Sequence, residues 1–222
     1  LRDMKEMHYQ SVILPYSIKS STKEFKHIPL NRDDSFKPLL NEDFRNKSIL
    51  DIGSAIGNFL FKAERYGATK LYGVEKNKDR YLASTFVAKV LNSNAKFLNA
   101  DFDKNLFEEQ FDYVLCLNVI HHIDHYEKFL VDAAKLTTKI LLLEFPTFLD
   151  PKFLSYKKIN KKDAVKMNEL SLIGESSKVI DQSYVYSPGF IENLLMNRDL
   201  AFRKCNIYRS PIEGRVIMSF IK

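Results

Sequence analysis

The sequence predicts an α/β fold built on a parallel sheet with helices on both faces. Three observations carry that expectation. From Lys47 onward, short apolar runs alternate with segments of helical periodicity, the pattern of strands joined by crossover helices. Three successive runs end in an acid: Ser48-Ile49-Leu50-Asp51, Leu71-Tyr72-Gly73-Val74-Glu75 and Lys96-Phe97-Leu98-Asn99-Ala100-Asp101. The chain then closes on two further strands, Phe202–Arg209 and Arg215–Lys222, joined only around Pro211-Ile212-Glu213-Gly214. So short a connection makes an antiparallel pair.

Taken in order, residues 1–44 show little regular periodicity and read as an N-terminal extension with short helices covering the cleft. The domain proper spans 45–222. Strands are predicted near 48–53, 70–75, 95–100, 111–118 and 138–145. Helical periodicity is clearest at 57–66 and 77–92. A further amphipathic run, 124–137, sets Phe129, Leu130, Ala133, Ala134 and Leu136 on one face, with Asp124 as its N-cap. Residues 146–189 are too long for an ordinary crossover and too rich in tyrosine and apolar residues for disorder. They are expected to form an insertion that covers the substrate. Phe190 to Leu200 reads as the last helix.

The stretch with the most chemical content is Ser48 to Gly57. An apolar run ends in Asp51 and opens into Gly53 and Gly57 before a new amphipathic segment begins, which reads as strand, tight turn and helix start. A Cβ at either glycine is expected to obstruct the approach of a ligand to the main chain, while the helix amides and dipole face the same space. The spacing is not that of a dinucleotide site, which has Gly-x-Gly-x-x-Gly and an acid about 20 residues on. Here the pattern is Asp-x-Gly-x-x-x-Gly, with Ala55 where the middle glycine of a pyrophosphate cradle belongs. Three carboxylates at the carboxyl ends of three strands would line one crevice.

On these residues the chain resembles the class I S-adenosylmethionine-dependent methyltransferases, over roughly 45–145 and more weakly to the C-terminus. Asp51, Gly53, Ser54, Ala55 and Gly57 stand at the family's glycine-rich first motif, which wraps the methionine end of the cofactor. Glu75 matches the acid that takes the ribose hydroxyls. Asp101 matches the acid near the adenine amino group, with Phe102 beside it. Leu117-Asn118-Val119-Ile120-His121-His122-Ile123 matches the segment after the fourth strand, and Asn118 joins the cofactor set. The resemblance implies a Rossmann-like, seven-stranded, mostly parallel sheet with a reversed C-terminal strand, and S-adenosyl-L-methionine as cofactor.

Composition bounds the partners. At 222 residues and 45% hydrophobic the chain suits one α/β unit. No apolar run approaches the ~20 residues of a membrane span, and the charged start, Leu1-Arg2-Asp3-Met4-Lys5-Glu6, predicts no secretory leader. Two cysteines, Cys116 and Cys205, do not make a disulfide framework, so a cytoplasmic setting is the expectation. No zinc pattern occurs and no metal is expected. The net charge of +6 has its densest basic stretch between Lys152 and Lys166, read as a solvated helix face ahead of a polyanion contact.

For the chemical step, His121 and His122 are the candidate bases, since imidazole titrates near neutrality. Glu144, at the end of the fifth strand, is the second candidate. The N-terminal tyrosine segment, the Ile-His-His segment and the long insertion are similar to two kinds of relative: methyltransferases of glycans and small hydroxylated substrates, and enzymes resembling the tRNA wobble-uridine modification family. O-methylation of a sugar, glycan or small hydroxylated metabolite is the favoured expectation. RNA methylation is the alternative, and an inactive cofactor-binding partner subunit the third.

Overall fold

The computed structural model describes residues 33–222. Most of the N-terminal extension expected over the cleft therefore lies outside the described residues. Its last part, a 3-10 helix over Asp33–Leu39, belongs to the core: Phe36 and Leu39 are buried, and Phe36 stacks on Phe44 and Phe59 at 5.5 and 5.9 Å.

The chain then runs through β1 (Ser48–Ile52), α1 (Asn58–Arg65), β2 (Lys70–Val74), α2 (Lys78–Leu91), β3 (Lys96–Leu98), β4 (Phe111–Leu117), α3 (Tyr126–Leu136) and β5 (Thr137–Pro146). Next come α4 (Pro151–Lys157), α5 (Lys161–Glu169), β6 (Ile173–Ser177), β7 (Gln182–Tyr186), α6 (Pro188–Met196), β8 (Lys204–Arg209) and β9 (Arg215–Ile221). Seven strands form one sheet in the order β3-β2-β1-β4-β5-β9-β8. β1 to β5 are mutually parallel, and β9 runs against both β5 and β8. The predicted α/β sheet with its reversed strand is present.

Alternate residues of each strand serve opposite faces. Leu50, Leu141 and Leu143 pack with α3 and α6 on one side, whereas Ile49, Ile140 and Leu142 pack with α1 and the Phe36 segment on the other. All five apolar residues expected on one face of the helix after β4 are buried there. The start of that helix differs from expectation. The chain leaves β4 through a 3-10 turn over Ile120–His122, so α3 begins only at Tyr126, with His125 in the capping position and no side-chain cap. Asp124 instead pairs with Lys178 at 3.3 Å. β3 is shorter than expected because the Asn99 amide turns back onto the Glu75 and Lys76 carbonyls and ends the ladder. α6 begins earlier than expected, where Ser187 caps Phe190 N and Pro188 takes the first turn.

The insertion holds α4, α5 and the antiparallel β6–β7 hairpin, around a small apolar core of Phe148, Phe153, Ala164 and Val185. Its entry is pinned by the β8–β9 turn. Thr147 donates to Gly214 O through both N and Oγ1, at 2.9 and 2.8 Å. Gly214 has φ +74, and a Cβ there would lie 2.3 Å from Asp150 Cα and 2.4 Å from Leu149 O. Both obstacles are backbone and cannot swing aside. Gly214→Ala is expected to destabilise the fold by about 2–4 kcal/mol, combining left-handed strain with overpacking. The check is a urea midpoint that falls at unchanged m-value; a parental midpoint would contradict it.

Candidate cofactor crevice and active site

The turn after β1 is built by its neighbours. Gly53 N donates to Val74 O at 2.8 Å, and Gly53, Ala55 and Gly57 take φ of +75, +48 and +86. A Cβ on Gly53 would sit 2.4 Å from Val119 Cγ2, and one on Gly57 2.5 Å from Phe97 Cζ. The atoms a Cβ would strike belong to the protein's own packing, so the turn needs glycine at both places for the fold itself. Ala55 takes a glycine-like conformation without being glycine. Its amide donates to Glu75 Oε2 at 2.9 Å, while Glu75 Oε1 accepts from Asn77 N at 2.8 Å. Glu75 therefore ties the turn after β1 to the start of α2.

At the carboxyl ends of β1 to β4 lies a cavity of about 210 Å³. Of the residues singled out by sequence, Gly53, Glu75, Asp101, Phe102, Asn118 and His122 line it. Asp51, Ser54, Ala55, Gly57, His121 and Glu144 do not. Asp51 is 2% exposed at the end of β1 and Ser54 is buried beneath the turn, so both stand behind the wall. Phe102 packs edge-on against Phe129, ring centroids 5.2 Å apart, giving the cavity an apolar side. Asp101 is ion-paired with Lys76. Sequence reasoning missed Lys76 and Arg80, which also line the cavity; Lys76 follows the acid at the end of β2, and Arg80 stands in the first turn of α2, which faces a crevice in such folds.

Glu144 is fully buried. Its carboxylate accepts from Ser35 Oγ at 3.0 and 3.1 Å, from Ser210 Oγ at 2.6 Å and from the Asn118 side-chain amide. Arg215, which lies 3.6 Å from Asp150 through Nε, donates to the Asn118 side-chain oxygen. Asn118 is thus held between an acceptor-only carboxylate and a donor-only guanidinium, and the two opposed partners orient its amide at the cavity wall. This surrounds Glu144 with donors behind Asn118, an anchoring geometry rather than that of a base open to substrate.

The two histidines are separated by burial. His121 is 2% exposed, with its ring 4.0 Å from that of His122. His122 lines the cavity, keeps 41% of its side chain accessible, and has Nδ1 3.7 Å from Asp181 Oδ1. Burial pushes the His122 pKa below the ordinary imidazole value; Asp181 opposes this, while Arg215, Arg80 and Lys152 reinforce it. The neutral form, able to accept a proton, is favoured at neutral pH. Asp181 belongs to the insertion, and so does Tyr186, whose hydroxyl donates to Ile120 O at 3.1 Å. The insertion therefore leans on the segment that carries the histidines. Among the described residues no His, Cys, Asp and Glu group is placed to hold a metal ion, and no helix is long and apolar enough to cross a membrane.

A crevice across the strand ends of such a sheet, walled by acids and an aromatic side chain, defines a nucleotide-cofactor-binding α/β domain. Residues 26–201 match the family model described as a methyltransferase domain, and the chain belongs to this family of S-adenosylmethionine-dependent methyltransferases. It is 32% identical over 88 residues to a tRNA U34 carboxymethyltransferase of Campylobacter hominis, a match spanning 39% of this chain and 30% of that protein. In fold it is similar to magnesium protoporphyrin IX methyltransferase from Synechocystis PCC 6803, solved with S-adenosylhomocysteine (TM-score 0.60, 17% identity, 86% of this chain and 80% of that one). It is also similar to the N-terminal domain of EvdMO1, solved in the presence of S-adenosylhomocysteine and D-fucose (TM-score 0.66, 16% identity, 99% and 94% covered).

Proposed function

We propose that this methyltransferase methylates a hydroxyl of a sugar or small hydroxylated metabolite, with His122 as the base. The observation that carries the reading is the shared cavity: Glu75, Asp101, Phe102 and Asn118 line the same space as His122. S-adenosylmethionine supplies a methyl group on a cationic sulfur, which an electron-rich oxygen attacks. The residues present suit that cofactor. Each Glu75 oxygen that accepts a backbone amide keeps lone-pair capacity for a ribose hydroxyl. Asp101 and the Phe102–Phe129 wall suit the adenine end, and the Gly53 turn the methionine end. His122 would take the hydroxyl proton, and residues 146–189 would exclude water from it, since Asp181 and Tyr186 bring the insertion against the histidine segment. The fold shared with a domain solved beside D-fucose supports a sugar acceptor.

RNA is the second reading. It is favoured by the tRNA U34 carboxymethyltransferase relative and by the exposed lysines at the end of α4 and the start of α5, Lys157, Lys158, Lys161 and Lys162. The two readings separate in one experiment, transfer of labelled methyl from S-adenosylmethionine to a panel of sugars, nucleotide sugars and total tRNA. Label is expected in the sugar arm, with yield insensitive to salt between 50 and 200 mM. Label in tRNA that falls steeply over that range, and disappears when the four lysines become Ala, would establish RNA instead.

A further inference from the structure

The insertion holds a second cavity beside the proposed base. Asp181, whose Oδ1 lies 3.7 Å from His122 Nδ1, also lines an open hollow of about 560 Å³ with Lys152, Ser155, Tyr156, Val179 and Ile180. His122 lines the cofactor cavity, so the two spaces meet at this pair. Lys152, Ser155 and Tyr156 stand three and four residues apart on α4 and share one face of it. Val179 and Ile180 come from the short 3-10 turn that precedes Asp181. The hollow offers two kinds of surface. Val179 is 87% exposed and Tyr156 44%, an apolar wall left facing solvent, and the Lys157 ammonium lies 5.5 Å from the centre of the Tyr156 ring. Lys152 supplies a cation. Among the described residues its ammonium forms no ion pair, the Asp181 carboxylate being turned to His122. Lys152 is also one of three cations, with Arg80 and Arg215, whose field favours the neutral His122 imidazole, so its charge is felt at the base.

We propose that this hollow is the acceptor subsite for an acidic sugar, with Lys152 and the Ser155 hydroxyl holding an anionic substituent, Tyr156 and Val179 carrying a ring face, and a ring hydroxyl turned toward His122. The chemistry follows from the lining. An ammonium and a hydroxyl both donate to an anionic oxygen, and such charge-assisted hydrogen bonds are the stronger kind. The C–H face of a pyranose is apolar and suits an aromatic ring with an aliphatic neighbour. A neutral sugar could use the wall but would leave the Lys152 charge to water. A carboxylate and a phosphate share the required chemistry, and separate probes distinguish them. The inference rests on the sugar-hydroxyl reading above and adds to it the charge that selects among sugars.

The test titrates the full chain, loaded with S-adenosylhomocysteine, with three sugars of one ring stereochemistry, followed by saturation-transfer NMR. D-fucose carries a neutral methyl at C5, D-galacturonate a carboxylate and D-galactose 6-phosphate a phosphorylated carbinol; uridine 5′-monophosphate is the nucleotide arm. The parent is expected to bind one of the two acidic sugars at least tenfold more tightly than D-fucose, and the tighter of the two names the substituent. Lys152→Met is expected to remove that advantage while leaving D-fucose and S-adenosylhomocysteine affinities within twofold, and Lys152→Arg to restore part of it. Tyr156→Ala should weaken all three sugars together, because it takes away the ring contact and not the charge. Acidic sugars bound no better than D-fucose by the parent, or an advantage that survives Lys152→Met, would overturn the anionic subsite while the sugar reading stands. A parent that takes S-adenosylhomocysteine but binds none of the sugars, or prefers uridine 5′-monophosphate to all three, would overturn the sugar reading, and this inference with it.

Discussion

Glu75→Ala is expected to lower affinity for S-adenosylhomocysteine by at least about 100-fold, close to 3 kcal/mol. Two losses combine. The carboxylate that would take the ribose hydroxyls is gone, and hydrogen bonds to a charged acceptor are worth about 1.5–3 kcal/mol each. The cradle itself also loosens, because Glu75 accepts the backbone amides of Ala55 and Asn77 and thereby holds the left-handed Ala55 turn against α2. Glu75→Gln should fall between the two proteins: its amide oxygen can keep one backbone donor, while its NH₂ faces the other. Titration calorimetry with S-adenosylhomocysteine, and with NAD as a control that should not bind, decides the matter. Parental affinity in Glu75→Ala would remove the ribose assignment.

How much of this was legible before the structure depends on the range over which the information lies. The placing of Asp51, Glu75 and Asp101 at or just beyond the carboxyl ends of β1, β2 and β3, and the antiparallel close of the chain, follow from local periodicity and from a connection too short for any other pairing. The same holds for the helix face of Phe129, Leu130, Ala133, Ala134 and Leu136, all buried. The role of Glu144 does not follow. Its environment is made by Ser35, 109 residues away, and Ser210, 66 residues away, and no pattern near Glu144 announces either.

The same limit applies to the glycines and to the insertion. Gly53 and Gly57 are visible as turn residues, but the side chains that demand them arrive from elsewhere in the chain, Val119 from the segment after β4 and Phe97 from β3. A loop reading of 146–189 could name its length and its tyrosines; that β7 brings Tyr186 onto Ile120, and the turn before it brings Asp181 onto His122, is a tertiary fact. Even the two adjacent histidines, indistinguishable as letters, differ because a 3-10 turn sends one inward and the other to the cavity.

That difference sets the largest expected effect on the chemical step. His122→Gln is expected to lower kcat by about 10²–10⁴-fold, the usual contribution of a positioned base, with a smaller change in acceptor KM. His121→Gln, at a packed and buried position, should act mainly on stability. The pH profile gives the sharper check. Burial, helped by Arg215, Arg80 and Lys152, depresses the His122 pKa in the folded protein. The imidazole therefore stays neutral and able to accept a proton at neutral pH, and the rate should hold on a plateau there and fall only as acid carries the pH through a value below the ordinary 6.5. Asp181 works in the opposite direction, favouring the imidazolium from 3.7 Å. Asp181→Asn removes that anion, so the acid limb should move to still lower pH while the plateau stays in place. In His122→Gln the limb should vanish along with the rate. A His122→Gln enzyme with parental kcat and an unchanged acid limb would place the base elsewhere, whereas an Asp181→Asn limb displaced toward alkali would mean that the titrating group is not this imidazole.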